Sequence, residues 1–164
     1  MRILGIDPAL AVTGYGVIDT NQNKLTLLKA GAIITSYRQA LPDRLNRIYC
    51  SISQLISETK PEVMVLEKIY VHYHHPVTAF LLGQARGIIC LACAKAKIPL
   101  EEYAATRVKK AIVGKGLASK GQVQRMVANI LKLSTLPKYA DVTDALALAI
   151  TYSYINKNNK AFNR

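Results

Sequence analysis

The first third of the chain alternates short apolar runs with polar breaks, in a pattern that predicts three β-strands. The runs cover residues 1–7, 12–19 and 24–34 and are rich in Ile, Leu and Val, which is typical of strands. Asn21-Gln22-Asn23 separates the second run from the third and suits a tight turn. The three strands are therefore expected to form an antiparallel meander.

Beyond residue 40, helical periodicity alternates with short apolar runs. Apolar residues recur at steps of three and four through the segment 42–60, which predicts an amphipathic helix. Further helices are predicted at 77–97, 104–113, 119–133 and 141–154, and further strands at 63–67 and 98–103. Residues 72–75 are expected to form a loop. This order predicts an α/β fold: a mixed five-stranded sheet, antiparallel over its first three strands and flanked by helices.

The length of 164 residues suits one domain. We expect this domain to cover residues 1–155, and the polar segment 156–164 to form a flexible tail. No apolar run approaches the roughly 20 residues that cross a membrane, and Asp7 and Pro8 interrupt the apolar N-terminus too early for a signal peptide. The odd number of cysteines, three, favours a reducing cytoplasm over a disulfide framework.

The charge balance points to an anionic partner. The chain has 22 Lys and Arg against 10 Asp and Glu, a formal net charge of +12 at pH 7. Such an excess favours nucleic acid or an anionic membrane surface as the partner. It also makes each acidic residue informative, because a carboxylate in an apolar setting is costly unless its charge is compensated.

Four carboxylates are placed where they could meet. Asp7 and Glu67 each end a predicted strand, and ligands of open α/β sheets bind at the C-terminal ends of strands. Asp141 and Asp144 are three residues apart in the first turn of the last predicted helix, so they share a face. Two of the four have an ordinary structural explanation when taken alone: Asp141 suits a helix N-cap, and Asp7 before Pro8 suits a turn.

Clustered carboxylates require a compensating cation, and ligands that offer only oxygen favour Mg²⁺, with Mn²⁺ as a substitute. In a basic protein, a carboxylate site for two such ions suggests phosphodiester hydrolysis, because one ion activates water and the other stabilises the leaving oxygen. Assigning four acidic residues to this site leaves six against the 22 basic ones. The rest of the molecule is therefore more basic than the net charge indicates.

The four carboxylates lie within motifs that resemble the RuvC family of bacterial Holliday junction endonucleases. The motifs follow the family's order and spread over most of the chain, so the four together are far more specific than any one. In this sequence they are Gly5-Ile6-Asp7-Pro8 with Thr13-Gly14-Tyr15-Gly16-Val17-Ile18; Leu81-Leu82-Gly83-Gln84-Ala85-Arg86-Gly87 downstream of Glu67; Tyr103 with Val108-Lys109-Lys110, Val113-Gly114-Lys115-Gly116, Lys120 and Gln122-Val123; and Asp141-x-x-Asp144-Ala145-Leu146-Ala147.

The resemblance implies an RNase H-like fold, a homodimer and Mg²⁺-dependent nicking of two opposed strands of a four-way DNA junction during recombination and repair. It implies two metal ions per active site, held by four catalytic residues, which are Asp7, Glu67, Asp141 and Asp144. By the same resemblance, Tyr70 stacks on an unpaired base, while Lys109 and Lys120 contact the DNA backbone near the scissile phosphate. The RuvA–RuvB branch-migration complex is an implied partner.

A wider set of residues is predicted to bind DNA. Its members are Tyr70, Arg86, Lys109, Lys110, Lys115 and Lys120. Basic side chains of this kind supply affinity for phosphates and carry no sequence information, and an ordinary solvated surface is the alternative for any single one. The apolar helix predicted at 77–97 is expected to form the homodimer contact, with burial inside the monomer as its alternative.

Other functions fit the sequence less well. A zinc site needs four converging ligands; His72, His74 and His75 could supply some, but Cys90 and Cys93 suit packing within an apolar helix. An actin-like ATPase shares the strand, Asp and glycine turn, yet needs two such domains. The glycine spacing matches neither a P-loop nor a dinucleotide site, so no nucleotide cofactor is expected. A catalytically inactive junction-binding module is the nearest alternative, and four intact carboxylates argue against it.

Overall fold

Five strands form one mixed sheet in the computed structural model, which describes residues 1–21, 24–69 and 76–162. The strands are β1 (Arg2–Asp7), β2 (Val12–Asn21), β3 (Lys24–Ile34), β4 (Val63–Glu67) and β5 (Leu100–Tyr103). Their order across the sheet is β3-β2-β1-β4-β5. The first three are antiparallel neighbours, while β4 runs parallel to β1 and β5 runs parallel to β4. The predicted mixed sheet is confirmed, although Gln22 and Asn23 of the predicted turn lie outside the described residues.

Helices cover both faces of this sheet and make a three-layer structure. The helices are α1 (Leu41–Thr59), α2 (Pro76–Lys95), α3 (Ala105–Val113), α4 (Lys120–Leu131) and α5 (Ala140–Phe162). Successive side chains of a strand point to opposite faces, so Val65 of β4 packs in the core shared with α3, α4 and α5. Its neighbour Leu66 packs in the core shared with α1 and α2. Strands β1 to β4 thus each contribute to two separate apolar layers.

The last helix is longer than the sequence pattern predicts. It continues past Tyr154 to Phe162, so most of the segment expected to be a tail is helical. The segment 155–162 is polar but contains neither Gly nor Pro, and such residues can prolong a helix that packing has already nucleated. Whether this end is flexible stays a prediction.

Among the described residues, the helical segment Val77–Lys95 is long and apolar enough to cross a membrane by length and composition. The expectation that no segment has this character is therefore wrong. In the fold, however, Ala85, Ile89 and Cys93 of this segment are buried in the core that α1 and α2 share with the sheet. Because core helices of folded domains pass the same test, the hydropathy of α2 is weak grounds for a membrane span.

Candidate active site

Asp7 and Glu67 lie next to each other at the C-terminal ends of adjacent parallel strands. Ile6 of β1 pairs with Leu66 of β4, and each carboxylate follows its paired residue directly. Because side chains alternate along a strand, Asp7 points to the same face as Gly5, which is the face that α5 covers. The sheet therefore presents both carboxylates to the same helix.

Two glycines allow α5 to lie directly against the sheet at this point. A Cβ at Gly5 would lie 2.0 Å from the carbonyl oxygen of Ala145, and a Cβ at Gly14 would lie 2.1 Å from that of Asp141. Any larger residue would force the helix away. Gly14 also pairs with Asp7 across the β1–β2 ladder, so the glycine that admits the helix is the cross-strand neighbour of the first carboxylate.

The start of α5 brings two further carboxylates to the strand ends. The helix begins at Ala140, so Asp141 lies in the first turn rather than in the capping position. Asp144 is three residues further along and shares its face. The N-terminal end of a helix favours negative charge, which partly compensates two acidic side chains in this turn.

The four side chains are referred to below as the carboxylate cluster. Its members are Asp7, Glu67, Asp141 and Asp144. Burial, followed by the charges of Asp144, Asp141 and Glu67, raises the pKa of Asp7 from 3.8 to about 7. Burial and the charge of Asp144 also raise the pKa of Glu67, while Lys109 and Lys120 oppose this change. Burial and the neighbouring carboxylates therefore disfavour the ionised forms of Asp7 and Glu67.

The chain that follows Asp7 is held by its own hydrogen bonds. The hydroxyl of Thr13, which is fully buried, donates to the carbonyl oxygen of Ala9 at 2.5 Å. The hydroxyl of Thr35 donates to the carbonyl oxygen of Leu10, and Arg44 Nε donates to Thr35 Oγ1 at 2.9 Å. These bonds order the loop between β1 and β2 at the edge of the cluster.

Lys120 contacts the cluster through its ammonium group. Its Nζ lies 2.8 Å from Oδ2 of Asp144. The residue begins α4, whose start is fixed by a capping box: the Ser119 hydroxyl accepts from the Gln122 backbone N–H, and the Gln122 side chain accepts from the Ser119 backbone N–H. A rigid helix start thus presents an ammonium group to the carboxylates.

The other predicted DNA-binding lysines divide by position. Lys109 lines a cavity of about 170 Å³ together with Glu67, Lys120 and Asp144. Lys110, its neighbour on α3, is exposed and lines a separate cavity on the far side of that helix. Lys115 is exposed in the loop between α3 and α4. Only the first of these three adjoins the cluster.

Arg86 differs from the lysines because it is buried, with 9% of its surface exposed. Its Nη1 donates to the carbonyl oxygen of Glu67 at 2.7 Å, and its Nη2 forms an ion pair with Glu102. It also lines a cavity of about 430 Å³ with Asp7 and Glu67. Tyr70, the predicted base-stacking residue, lies outside the described residues.

The donor set of the cluster fits a hard divalent cation. All four side chains offer oxygen ligands, which Mg²⁺ and Mn²⁺ prefer, and burial together with the charges of the other three carboxylates raises the pKa of Asp7. Within the described ranges, however, no three His, Cys, Asp or Glu side chains converge closely enough to hold one ion. Binding an ion between them therefore requires the carboxylates to turn toward each other.

The alternative zinc interpretation gains no support from α2. Cys93 is buried, and its thiol lies 3.0 Å from the carbonyl oxygen of Ile98. Burial raises the pKa of both Cys90 and Cys93, which disfavours the thiolate that zinc requires. The histidines at 72, 74 and 75 lie outside the described residues.

The roles of two residues of the site were not predicted from the sequence. Gly5 lies within a strand, where a glycine often marks a close approach of another backbone, and that signal was available. Glu102 has no comparable signal, because a short run such as Leu100-Glu101-Glu102-Tyr103 does not reveal which acid faces Arg86. Its contact with α2 depends on the tertiary fold.

Comparison with known proteins relates this arrangement to one family. The chain matches the family model described as crossover junction endodeoxyribonuclease RuvC over residues 3–152. It is 44% identical over 156 residues to the crossover junction endodeoxyribonuclease RuvC of Rhodopirellula baltica, covering 95% of this chain and 88% of the relative. It is 47% identical over 156 residues to that of Proteus mirabilis, with the same two coverages.

Comparison with solved structures points to the same family. The chain is similar to T. thermophilus RuvC in complex with Holliday junction substrate, with a TM-score of 0.91, 29% sequence identity, and coverage of 97% of this chain and 96% of that one. The yeast mitochondrial Holliday junction resolvase Ydc2 has a TM-score of 0.68 at 11% identity, covering 98% and 80% of the two chains. That identity shows the fold alone. The predicted RNase H-like fold class is confirmed.

Proposed function

Because the chain belongs to the RuvC family of crossover junction endodeoxyribonucleases, we propose that it resolves Holliday junctions by nicking two opposed strands of four-way DNA in a divalent-metal-dependent reaction. The observation that carries this function is the carboxylate cluster, assembled from three distant segments at the C-terminal edge of the sheet. A junction-binding module without catalysis would have no need to collect so much negative charge on a basic protein.

Each element of the site has a role in this reaction. The carboxylate cluster would hold the metal, with Mg²⁺ as the favoured ion, Mn²⁺ as a substitute and two ions per site. When bound, such ions supply an activated water and stabilise the leaving oxygen. Lys109 and Lys120, which flank Glu67 and Asp144, would hold the scissile phosphate against the cluster by charge-assisted hydrogen bonds.

The DNA would extend over the exposed basic residues beyond the cluster. Tyr70 stays the proposed base-stacking residue. Lys110 and Lys115 are exposed on α3 and on the loop that follows it, and both stay proposed phosphate contacts. Contacts of this kind position a duplex without reading its bases. They also predict an affinity for the junction that falls steeply with added salt.

A homodimer formed through α2 is part of the proposal. One side of this helix is exposed in the described part of the chain and has apolar or small residues at helical spacing, here called the outer stripe. It consists of Phe80, Gly83, Gly87, Leu91 and Ala94. Phe80 is 67% exposed and Leu91 is 48% exposed, and small residues between them allow close approach of a second helix. Two copies would place two nucleolytic sites on one junction, as symmetric nicking requires.

The proposed cytoplasmic location and the RuvA–RuvB partnership follow from the family rather than from a surface of this chain. The direct test of the function uses the full chain with Mg²⁺ and three substrates: a synthetic four-way junction, a linear duplex of the same sequence, and ATP. Paired nicks on the junction alone support the proposal. Tight junction binding without nicks would instead favour the inactive module, and ATP turnover would favour an actin-like ATPase.

A further inference from the structure

A buried arginine joins the strand that carries a catalytic carboxylate to the edge strand beside it. Arg86 of α2 donates from Nη1 to the backbone oxygen of Glu67 at 2.7 Å and pairs through Nη2 with the carboxylate of Glu102. The Arg86 side chain is 11% exposed and the Glu102 side chain is 41% exposed. A guanidinium buried to this extent is costly unless it is paired, and here two of its nitrogens have partners.

The contact lies at the end of strand β4, at the residue that contributes a carboxylate to the cluster. Leu66 of β4 pairs with Glu102 of β5, and Glu67 is the last residue of β4. The backbone N–H of Lys68 still donates to the Tyr103 carbonyl oxygen at 2.9 Å. Arg86 therefore holds the backbone from the opposite face of the sheet, at the residue whose side chain joins the carboxylate cluster.

We propose that Arg86, paired with Glu102, is a positioning residue that fixes the backbone of Glu67 and thereby the place of its carboxylate in the metal site. Hydrogen bonds that orient metal ligands from outside the coordination sphere commonly affect metal affinity and activity. The inference rests on the proposed junction cleavage. It replaces the simpler expectation that Arg86 is a contact for DNA phosphates.

The two roles predict opposite kinetic results. A phosphate contact contributes to junction affinity and to its salt dependence, whereas a positioning residue acts on the metal and on the chemical step. Arg86→Gln distinguishes them. Its matched control is Lys24→Gln, which also removes one positive charge but lies at the start of β3, paired with Asn21 at the end of the sheet opposite the cluster.

Three quantities are measured on the purified full-length protein: the Kd for a four-way junction in chelator as a function of salt, the single-turnover nicking rate at saturating protein, and the Kd for Mn²⁺ without DNA. For Arg86→Gln we expect a junction Kd and salt slope equal to those of Lys24→Gln. We expect the nicking rate and the Mn²⁺ affinity to fall by roughly 10- to 100-fold.

The opposite pattern would overturn the inference. A weaker junction Kd, a salt slope reduced by about one phosphate contact and an unchanged saturated rate would make Arg86 a DNA contact. An unchanged rate together with an unchanged Mn²⁺ Kd would remove any role. Wild-type protein in the same assay separates this outcome from failure of the proposed function, because loss of that function would leave wild type inactive too.

A second variant keeps the test valid if Arg86→Gln fails to fold. Glu102→Gln removes only the charge of a partner that is already partly exposed, so the fold should persist. It should weaken Mn²⁺ binding and slow nicking in the same direction, by less than Arg86→Gln. Arg86→Lys, which retains the charge but has a single nitrogen for two partners, should recover part of the rate. Wild-type values for Glu102→Gln would count against the pairing.

Discussion

The ammonium nitrogen of Lys120 lies 2.8 Å from Oδ2 of Asp144, in contact with the carboxylate cluster. The hydrogen bond to Asp144 raises the pKa of Lys120, and the nearby charges of Asp7 and Asp141 act in the same direction. A residue proposed to contact the scissile phosphate thus already serves as a counter-ion for the carboxylates. A divalent ion bound to the cluster would compete with Lys120 for Asp144 and release it toward the DNA.

Lys120→Gln should therefore strengthen Mn²⁺ binding to the DNA-free protein while it weakens junction nicking. In this variant a bound metal neither competes with the ammonium group for Asp144 nor is repelled by it. The ion pair that is lost is partly exposed, because 61% of the Lys120 side chain is accessible. An exposed pair of this kind is worth up to about 1 kcal/mol, or roughly fivefold in Kd. Calorimetric titration with Mn²⁺ measures the change, and Lys24→Gln serves as the charge-matched control. Weaker Mn²⁺ binding by Lys120→Gln would contradict the competition.

The thermal stability of the protein in chelator should fall as pH rises from about 4 toward 8. The pKa of Asp7 is raised from 3.8 to about 7 in the fold, so between these pH values the folded state keeps a proton that the unfolded chain has lost. Stability is then highest below the unfolded pKa and decreases as pH passes through the folded one. The pKa difference corresponds to at most about 4 kcal/mol.

This pH dependence is measured as Tm in chelator across that range. Burial and the charge of Asp144 raise the pKa of Glu67 as well, which adds to the decrease in the same direction. Saturating Mg²⁺ should remove most of the slope, because it stabilises the ionised cluster by binding only the folded state. A Tm in chelator that increases from pH 5 to pH 8 would show that the cluster is already neutralised.

Asp7→Asn should abolish nicking and raise Tm in chelator at pH 8. The amide keeps the shape of the side chain but removes the charge that is buried beside Asp144 and Asp141. The gain should shrink as pH falls and vanish below about pH 4, where Asp7 is protonated in both the folded and the unfolded chain. Asp43→Asn is the matched control, since Asp43 is exposed in the first turn of α1. A lower Tm for Asp7→Asn at pH 8 would mean that the carboxylate stabilises the fold.

Gly14→Ala should destabilise the protein and reduce nicking together. The added Cβ would lie 2.1 Å from the carbonyl oxygen of Asp141, so α5 must move away from the sheet with its two carboxylates. Overpacking of this kind costs about 1–3 kcal/mol. Chemical denaturation measures the loss. In Gly121→Ala, by contrast, the new Cβ meets only the end of the Arg125 side chain at 3.7 Å, and helix propensity should stabilise α4 by up to about 1 kcal/mol.

Leu91→Glu should convert the proposed dimer to a monomer. Leu91 belongs to the outer stripe of α2 and is 48% exposed, so a charge there would be buried at the interface without a partner. Sedimentation equilibrium reports the association state. Leu28→Glu is the matched control, because Leu28 is 45% exposed on the edge strand β3, away from α2. A Leu91→Glu protein that remains dimeric would place the interface elsewhere.

Much of the fold was accessible to sequence reasoning because it depends on local patterns. The bounds of β3 and β4 match their predicted limits, because both are apolar runs bounded by polar or turn residues. The end of α5 was not accessible in this way. Polar residues after Tyr154 favour neither a helix nor a tail by themselves, and the preceding helix packed on the sheet supports their continuation to Phe162.

By itself, the sequence predicted that Asp7, Glu67, Asp141 and Asp144 share one metal site, because strand ends and helix spacing are local properties of the chain. What only the tertiary structure decided is which neighbours those residues have. Lys109 and Lys110 are consecutive on α3 and therefore point in different directions. Lys109 lies on the side of Glu67, and Lys110 lies on the far side of the helix.

Arg86 is the clearest case. On an apolar helix a single arginine can face the solvent, the DNA or the core, and its sequence neighbours do not distinguish these positions. Packing of α2 on the sheet brought its guanidinium to the Glu67 carbonyl oxygen and to Glu102. The physical reason is that these contacts join residues far apart in the chain, and their geometry exists only after strands β4 and β5 have paired.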